Sequence, residues 1–166
     1  MISENHNLKQ HNTFGIAAKA SRFATIKTEQ EAIKLISSGM TANSPVLILG
    51  GGSNLLFTRD YEGLIIHPLI TGIKTDQTID NKVIVTVGTG MVWDDFAGWA
   101  VSNGLGGTEN LSLIPGMTGA SAGLEGDAVA VEQGELMVRL GEIPAIGRAL
   151  HQIPAGRTAH ELDAAA

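Results

Sequence analysis

Four branched apolar residues in a row, Val46-Leu47-Ile48-Leu49, run directly into Gly50-Gly51-Gly52-Ser53-Asn54, and apolar letters resume at Leu55-Leu56-Phe57. A short unbroken apolar run bounded by turn residues reads as a strand buried on both faces. The pattern therefore predicts a core strand that opens into a glycine loop. Upstream, Arg22-Phe23-Ala24-Thr25-Ile26 alternates toward a strand, and Thr28 followed by Glu31 makes a capping box that starts a helix. Ala32, Ile33, Leu35 and Ile36 give that helix its apolar stripe, and Gly39 is placed to end it. Strand, helix and buried strand together form a βαβ-like unit whose last strand delivers the glycine loop.

Beyond the loop, Gly63-Leu64-Ile65-Ile66 reads as another short strand stopped by Pro68, and a domain boundary is expected there. Val83, Val85 and Val87 alternate with Ile84 and Thr86 after the turn-like Asp80-Asn81, so one face of that strand is wholly valine. Gly88-Thr89-Gly90 breaks the pattern. Trp93, Phe96, Ala97, Ala100 and Val101 then fall on one face of a helix that opens with Asp94 and Asp95 and ends at Gly104. Trp93 belongs to that buried stripe, which makes it a core anchor rather than a stacking platform. Gly104 to Gly119 is long, irregular and glycine-rich, and an unstructured stretch of this length in a compact domain usually binds or covers something. Met1 to His11 is polar and reads as a loose, solvated terminus, with His6 and His11 too isolated to suggest a metal site. Near the other end, Pro144 and Pro154 bracket a short helix predicted over Ile146 to Gln152.

Composition narrows the classes. At 166 residues with 43% hydrophobic content the chain can bury a core, and 21 glycines with only 4% aromatics imply tight loops around aliphatic packing. The absence of cysteine removes disulfides, thiolate metal sites and cysteine nucleophiles together. Seventeen acids against eleven scattered bases give a net charge of -6, which argues against a nucleic-acid partner. No apolar run approaches the roughly 20 residues that span a bilayer, and Met1 to Asn12 lacks the apolar core of a signal peptide. A cytoplasmic location is the expectation.

The glycine loop carries the candidate chemistry. Three adjacent glycines hold nothing away from their own N–H donors, which is how backbone binds phosphate. The alternative is a tight turn after a core strand. A dinucleotide fingerprint needs a third glycine where Leu55 stands, and a Walker loop needs a lysine that is missing here.

Four segments, in order and spacing, resemble the UDP-N-acetylmuramate dehydrogenase (UDP-N-acetylenolpyruvoylglucosamine reductase) family. They are Asn12-Thr13-Phe14-Gly15, Leu49 to Leu56, the Gly88 to Trp93 step, and Glu109-Asn110-Leu111-Ser112-Leu113-Ile114-Pro115-Gly116 with Gly119 beyond. The resemblance covers residues 12 to about 121. It implies a truncated α+β, two-lobed FAD-binding fold of the vanillyl-alcohol-oxidase / UDP-N-acetylmuramate dehydrogenase type, with FAD as cofactor and NADPH as co-substrate. It also implies that Gly50, Gly51, Gly52, Ser53 and Asn54, with Leu55, cradle the FAD pyrophosphate, while Asn110, Ile114, Pro115, Gly116 and Gly119 approach the flavin end. Three segments follow: an N-terminal lobe over 1–67, a second lobe over 68–121, and a divergent tail over 122–166.

Past Ser121 the motif letters depart, reading Ala122-Gly123-Leu124-Glu125-Gly126-Asp127. The family's substrate domain, which brings a serine proton donor, a glutamate and an arginine, has no counterpart, so no catalytic residue is assigned. Ser112 and Glu109 sit inside the cofactor loop and are read as structural. The expected function is the flavin-binding part of such a reductase, truncated or chimeric; the alternative is a non-catalytic scaffold that has lost the flavin. Loss of a partner domain would expose apolar surface and favour self-association.

Overall fold

The computed structural model describes residues 2–42, 44–79, 82–121 and 136–140. The first sheet contains β1 (Ile2–Asn7), β2 (Lys19–Ile26), β3 (Val46–Ile48) and β4 (Tyr61–Pro68), in the order β1-β2-β4-β3. β1 runs antiparallel to β2, while β2 and β3 both run parallel to β4. β4 is therefore inserted between the two strands of the expected βαβ-like unit, which leaves β3 at the sheet edge: Val46 and Leu47 are half-buried and Ile48 is 48% exposed, so β3 is not the doubly buried core strand that its unbroken apolar run predicts. Its residues Leu64, Ile65 and Ile66 are all buried, as a central parallel strand covered on both faces requires.

Register decides which side chain joins which core. Phe23 and Ile65 are paired, and they pack on one face with Leu8, Ala20, Leu49 and Phe57. Ala24 and Ile66, one residue on, face the other way against Ala32 and Leu35 of α1 (Glu29–Ser37). The N-cap bond of the box forms as expected, Glu31 N–H donating to Thr28 Oγ1 at 3.2 Å, while the Glu31 side chain reaches one residue further back and accepts from Lys27 N–H at 2.7 Å.

The second sheet has the order β5-β6-β7, from β5 (Ile73–Ile79), β6 (Lys82–Val87) and β7 (Leu136–Leu140). Val85 and Val87 pack beneath Trp93, Phe96 and Ala100 of α2 (Trp93–Ser102), so the valine face and the helical stripe meet. The crossing from the first sheet to the second runs against Gly88 and Gly90. Gly88 N–H donates to Gly72 O and Gly90 N–H to Ile70 O, each at 2.8 Å.

Two further expectations need correction, and one strand went unread. Met1 to His11 is not loose from its second residue: β1 pairs along β2, with Glu4 opposite Arg22 and His6 opposite Ala20. A polar edge strand takes its order from the neighbouring backbone, which apolar spacing does not report. β5, with the sequence IKTDQTI, was invisible for the same reason. β7 lies beyond Ser121 yet pairs in parallel with β6, Val85 opposite Val138, so the second sheet draws a strand from the stretch read as tail. The Asp80-Asn81 turn and the helix expected over Ile146 to Gln152 lie outside the described residues. Among the described residues no helix is long and apolar enough to cross a membrane.

Candidate functional site

β3 ends at Ile48, and Leu49 N–H still donates to Ile66 O at 2.8 Å before the chain leaves the sheet. From there, the N–H groups of Gly50, Gly51, Gly52, Ser53 and Asn54 have no hydrogen-bond partner among the described residues. The loop is held from behind by other means. Thr13 N–H donates to Gly52 O at 3.2 Å, and the buried Asn12 side chain braces the Leu8–Ile16 turn by donating to Leu8 O at 2.7 Å and Ile16 O at 3.0 Å. Gly52 has φ +64, and a Cβ there would run into the His11 carbonyl and stand 3.0 Å from Asn12 Cα. A Cβ at Gly51 would meet nothing within 4 Å.

Beneath the loop lies a ring cluster. His67 Nδ1 bonds Leu49 O at 2.7 Å, which puts a proton on Nδ1 because a carbonyl only accepts. His6 stacks on Phe23 at 4.1 Å between ring centroids, His11 lies 4.6 Å from Phe23, and the His6 and His11 Nε2 atoms share a hydrogen bond of 3.1 Å. Burial, then the neighbouring His67 and His6, lowers the His11 pKa. Among the described residues no group of three metal-ligating side chains is arranged to hold an ion.

The facing wall is stitched from two segments that sequence kept apart. Trp93 N–H donates to Gly116 O at 3.0 Å, Thr118 N–H to Met91 O at 2.9 Å, and Gly119 N–H to Thr89 O at 3.1 Å. Thr118 Oγ1 adds a bond of 2.6 Å to Gly88 O. Trp93 Nε1 donates to Leu111 O at 2.7 Å, tying the loop to the first turn of α2. Glu109 accepts from Gly107 N–H, and backbone donors, first its own N–H and then that of Gly107, lower its pKa. Ser112 Oγ donates to Asp94. Glu109 and Ser112 are thus both engaged in shaping their own loop.

Between the walls is a cleft of about 390 Å³. Gly50 to Leu55 line one side, with Ile48 and Leu49, and Trp93, Leu111, Ile114, Pro115, Gly116 and Ala120 line the other. Gly119 borders an adjoining apolar cleft of about 410 Å³ that shares Ile48, Gly50 and Ala120 with the first, and Asn110 borders neither. Of the cleft-lining residues, sequence reasoning did not name Ile48, Leu49, Trp93, Leu111 and Ala120. Trp93 is a core residue, only 3% exposed, and also a cleft residue, so its stripe position told half of its role. For Leu111 and Ala120 no sequence signal exists beyond nearness to the motif.

The family model described as FAD binding domain matches residues 20–141. This chain belongs to the FAD binding domain family. The match continues past Ser121 and takes in β7. The UDP-N-acetylenolpyruvoylglucosamine reductase of Bacteroides fragilis is 46% identical over 139 residues, covering 84% of this chain and 42% of that protein. Its counterpart in Porphyromonas gingivalis is 38% identical over 136 residues, covering 82% and 40%. The crystal structure of the Thermus caldophilus reductase superposes with a TM-score of 0.51 at 22% identity, covering 81% of this chain and 44% of that one, a likeness of fold. The chain spans about two fifths of the length of the curated relatives it matches.

The residues present fit the family's cofactor. FAD brings a doubly charged pyrophosphate, no lysine or arginine among the described residues lines the cleft, and the glycine loop presents unpaired N–H groups to it. The open space over Gly51 lets a ligand approach that backbone.

Proposed function

We propose that this chain binds FAD with the N–H groups of Gly50 to Asn54 on the pyrophosphate and the Ile114 to Gly119 segment toward the flavin ring. It would serve as the flavin-carrying part of a UDP-N-acetylenolpyruvoylglucosamine reductase. Bound FAD supplies hydride chemistry, drawn in the whole reductase from NADPH. The chain's own contribution is to hold the pyrophosphate with backbone N–H groups and to keep water off one face with the apolar Trp93 and Ile114 wall. The observation that carries the proposal is the run of unpaired N–H groups across the cleft from the Ile-Pro-Gly loop. The net charge of -6 disfavours nucleic acid as a partner, and a cytoplasmic setting and self-association through apolar surface complete the reading.

A thermal titration tests it. A ligand that binds only the folded state at a hundredfold excess over Kd adds about 2.7 kcal/mol, or roughly 5–10 °C for a domain of this size. FAD should raise the melting temperature in a dose-dependent manner, FMN less, because it lacks the adenylate and the second phosphate, and riboflavin not at all. A melting curve indifferent to FAD in flavin-free protein would leave a scaffold that keeps the fold alone.

A further inference from the structure

The first turn of α2 holds a carboxylate that the flavin reading does not use. Asp94 Oδ1 accepts two hydrogen bonds, from Ser112 Oγ and from Leu113 N–H, each at 2.7 Å. Leu113 has φ +64, a left-handed backbone that side-chain-bearing residues rarely adopt, and it is 83% exposed, so packing does not hold it there. The next three residues, Ile114, Pro115 and Gly116, line the cleft opposite the glycine loop. Asp94 itself does not line it.

We infer that Asp94 is a positioning residue for the flavin end of the cleft, fixing the left-handed turn at Leu113 and thereby the placement of Ile114-Pro115-Gly116. The inference rests on the flavin reading and adds a specific device to it. Two donors converge on one charged oxygen, which makes both bonds stronger than neutral pairs. The helix N-terminus beside Asp94 favours its negative charge, and the bonds from Leu113 N–H and then Ser112 lower its pKa. Trp93 ties the same loop to the same helical turn through Leu111, so Asp94 governs the segment downstream of that anchor. Releasing Leu113 lets the turn relax to right-handed backbone and swings Ile114 away from the opposite wall, while the glycine loop across the cleft is untouched.

The two halves of FAD separate this role from a merely structural one. ADP carries the pyrophosphate but no flavin, so it reads the glycine loop alone. In Asp94→Ala the affinity for FAD should fall roughly five- to tenfold, as loss of hydrogen bonds to a charged acceptor allows, while the affinity for ADP stays within twofold. Ser112→Ala, which removes one of the two donors, should give a smaller loss of FAD, and Asp94→Asn, which keeps an acceptor oxygen, an intermediate one. In flavin-free protein, amide exchange at Leu113 should quicken in Asp94→Ala. Equal losses for FAD and ADP, or no loss for either, would overturn the positioning role. Wild-type protein that binds neither ligand would overturn the flavin reading and this inference together.

Discussion

Adjacent glycines with the same letter make opposite demands, and Gly52→Ala against Gly51→Ala measures the difference. At Gly52 the left-handed backbone itself costs an L-residue about 1–2 kcal/mol. The new methyl also meets the His11 carbonyl and Asn12 Cα, and Asn12 cannot retreat freely because its side chain donates to Leu8 O and Ile16 O and accepts from Ile16 N–H at 3.0 Å. Overpacking of this kind adds about 1–3 kcal/mol. Together these should lower the melting temperature of flavin-free protein by roughly 4–20 °C, at about 2–4 °C per kcal/mol. Gly51→Ala meets no atom within 4 Å and should leave the melting temperature unchanged or raise it slightly through a stiffer unfolded chain. If the loop N–H groups hold the pyrophosphate, a methyl at Gly51 occupies space the ligand needs, so FAD affinity should drop at least about tenfold, equivalent to ~1.4 kcal/mol. Circular dichroism melts without flavin and fluorescence titration with FAD read the two effects separately. A Gly52→Ala protein that melts within about 1 °C of wild type refutes the close approach, and a Gly51→Ala protein with unaltered FAD affinity refutes the cradle.

Two further outcomes follow from the site. His11, whose pKa is held below the ordinary 6.5 by burial and by His67 and His6, binds fewer protons folded than unfolded. Stability should therefore rise with pH through the interval between its folded and ordinary values and be lost as pH falls below 6.5, with a flatter profile in His11→Gln; parallel profiles for the two proteins would contradict this. Trp93→Phe keeps an aromatic ring in the core but removes the donor to Leu111 O, which should cost about 1–3 kcal/mol in stability and weaken FAD binding through the loosened loop; unchanged melting would show that the bond contributes nothing.

What the sequence determined by itself was whatever local spacing encodes. The N-cap at Thr28, the valine face of β6 and the Trp93, Phe96, Ala97 and Ala100 stripe of α2 are relations between residues a few positions apart, and each formed as read, whereas Val101 of that stripe is 53% exposed and the apolar run before Gly50 formed a strand at the sheet edge rather than one buried on both faces. The four motif segments likewise carried the family, since their order survives in the linear chain. Tertiary structure decided the rest. β1 and β5 are polar strands ordered by a neighbour's backbone, a partner the sequence does not name. β4 lies between β2 and β3, a place its run of Leu64, Ile65 and Ile66 did not announce, because an apolar run demands cover on both faces and so fixes burial but not strand neighbours. The histidines looked isolated because His6, His11 and His67 come from β1, a turn and β4, and only the register of the sheet gathers them around Phe23. At Gly51 and Gly52 the letters are identical and the roles differ, because the backbone angle and the atom across the gap, not the residue type, decide whether a side chain could stand there.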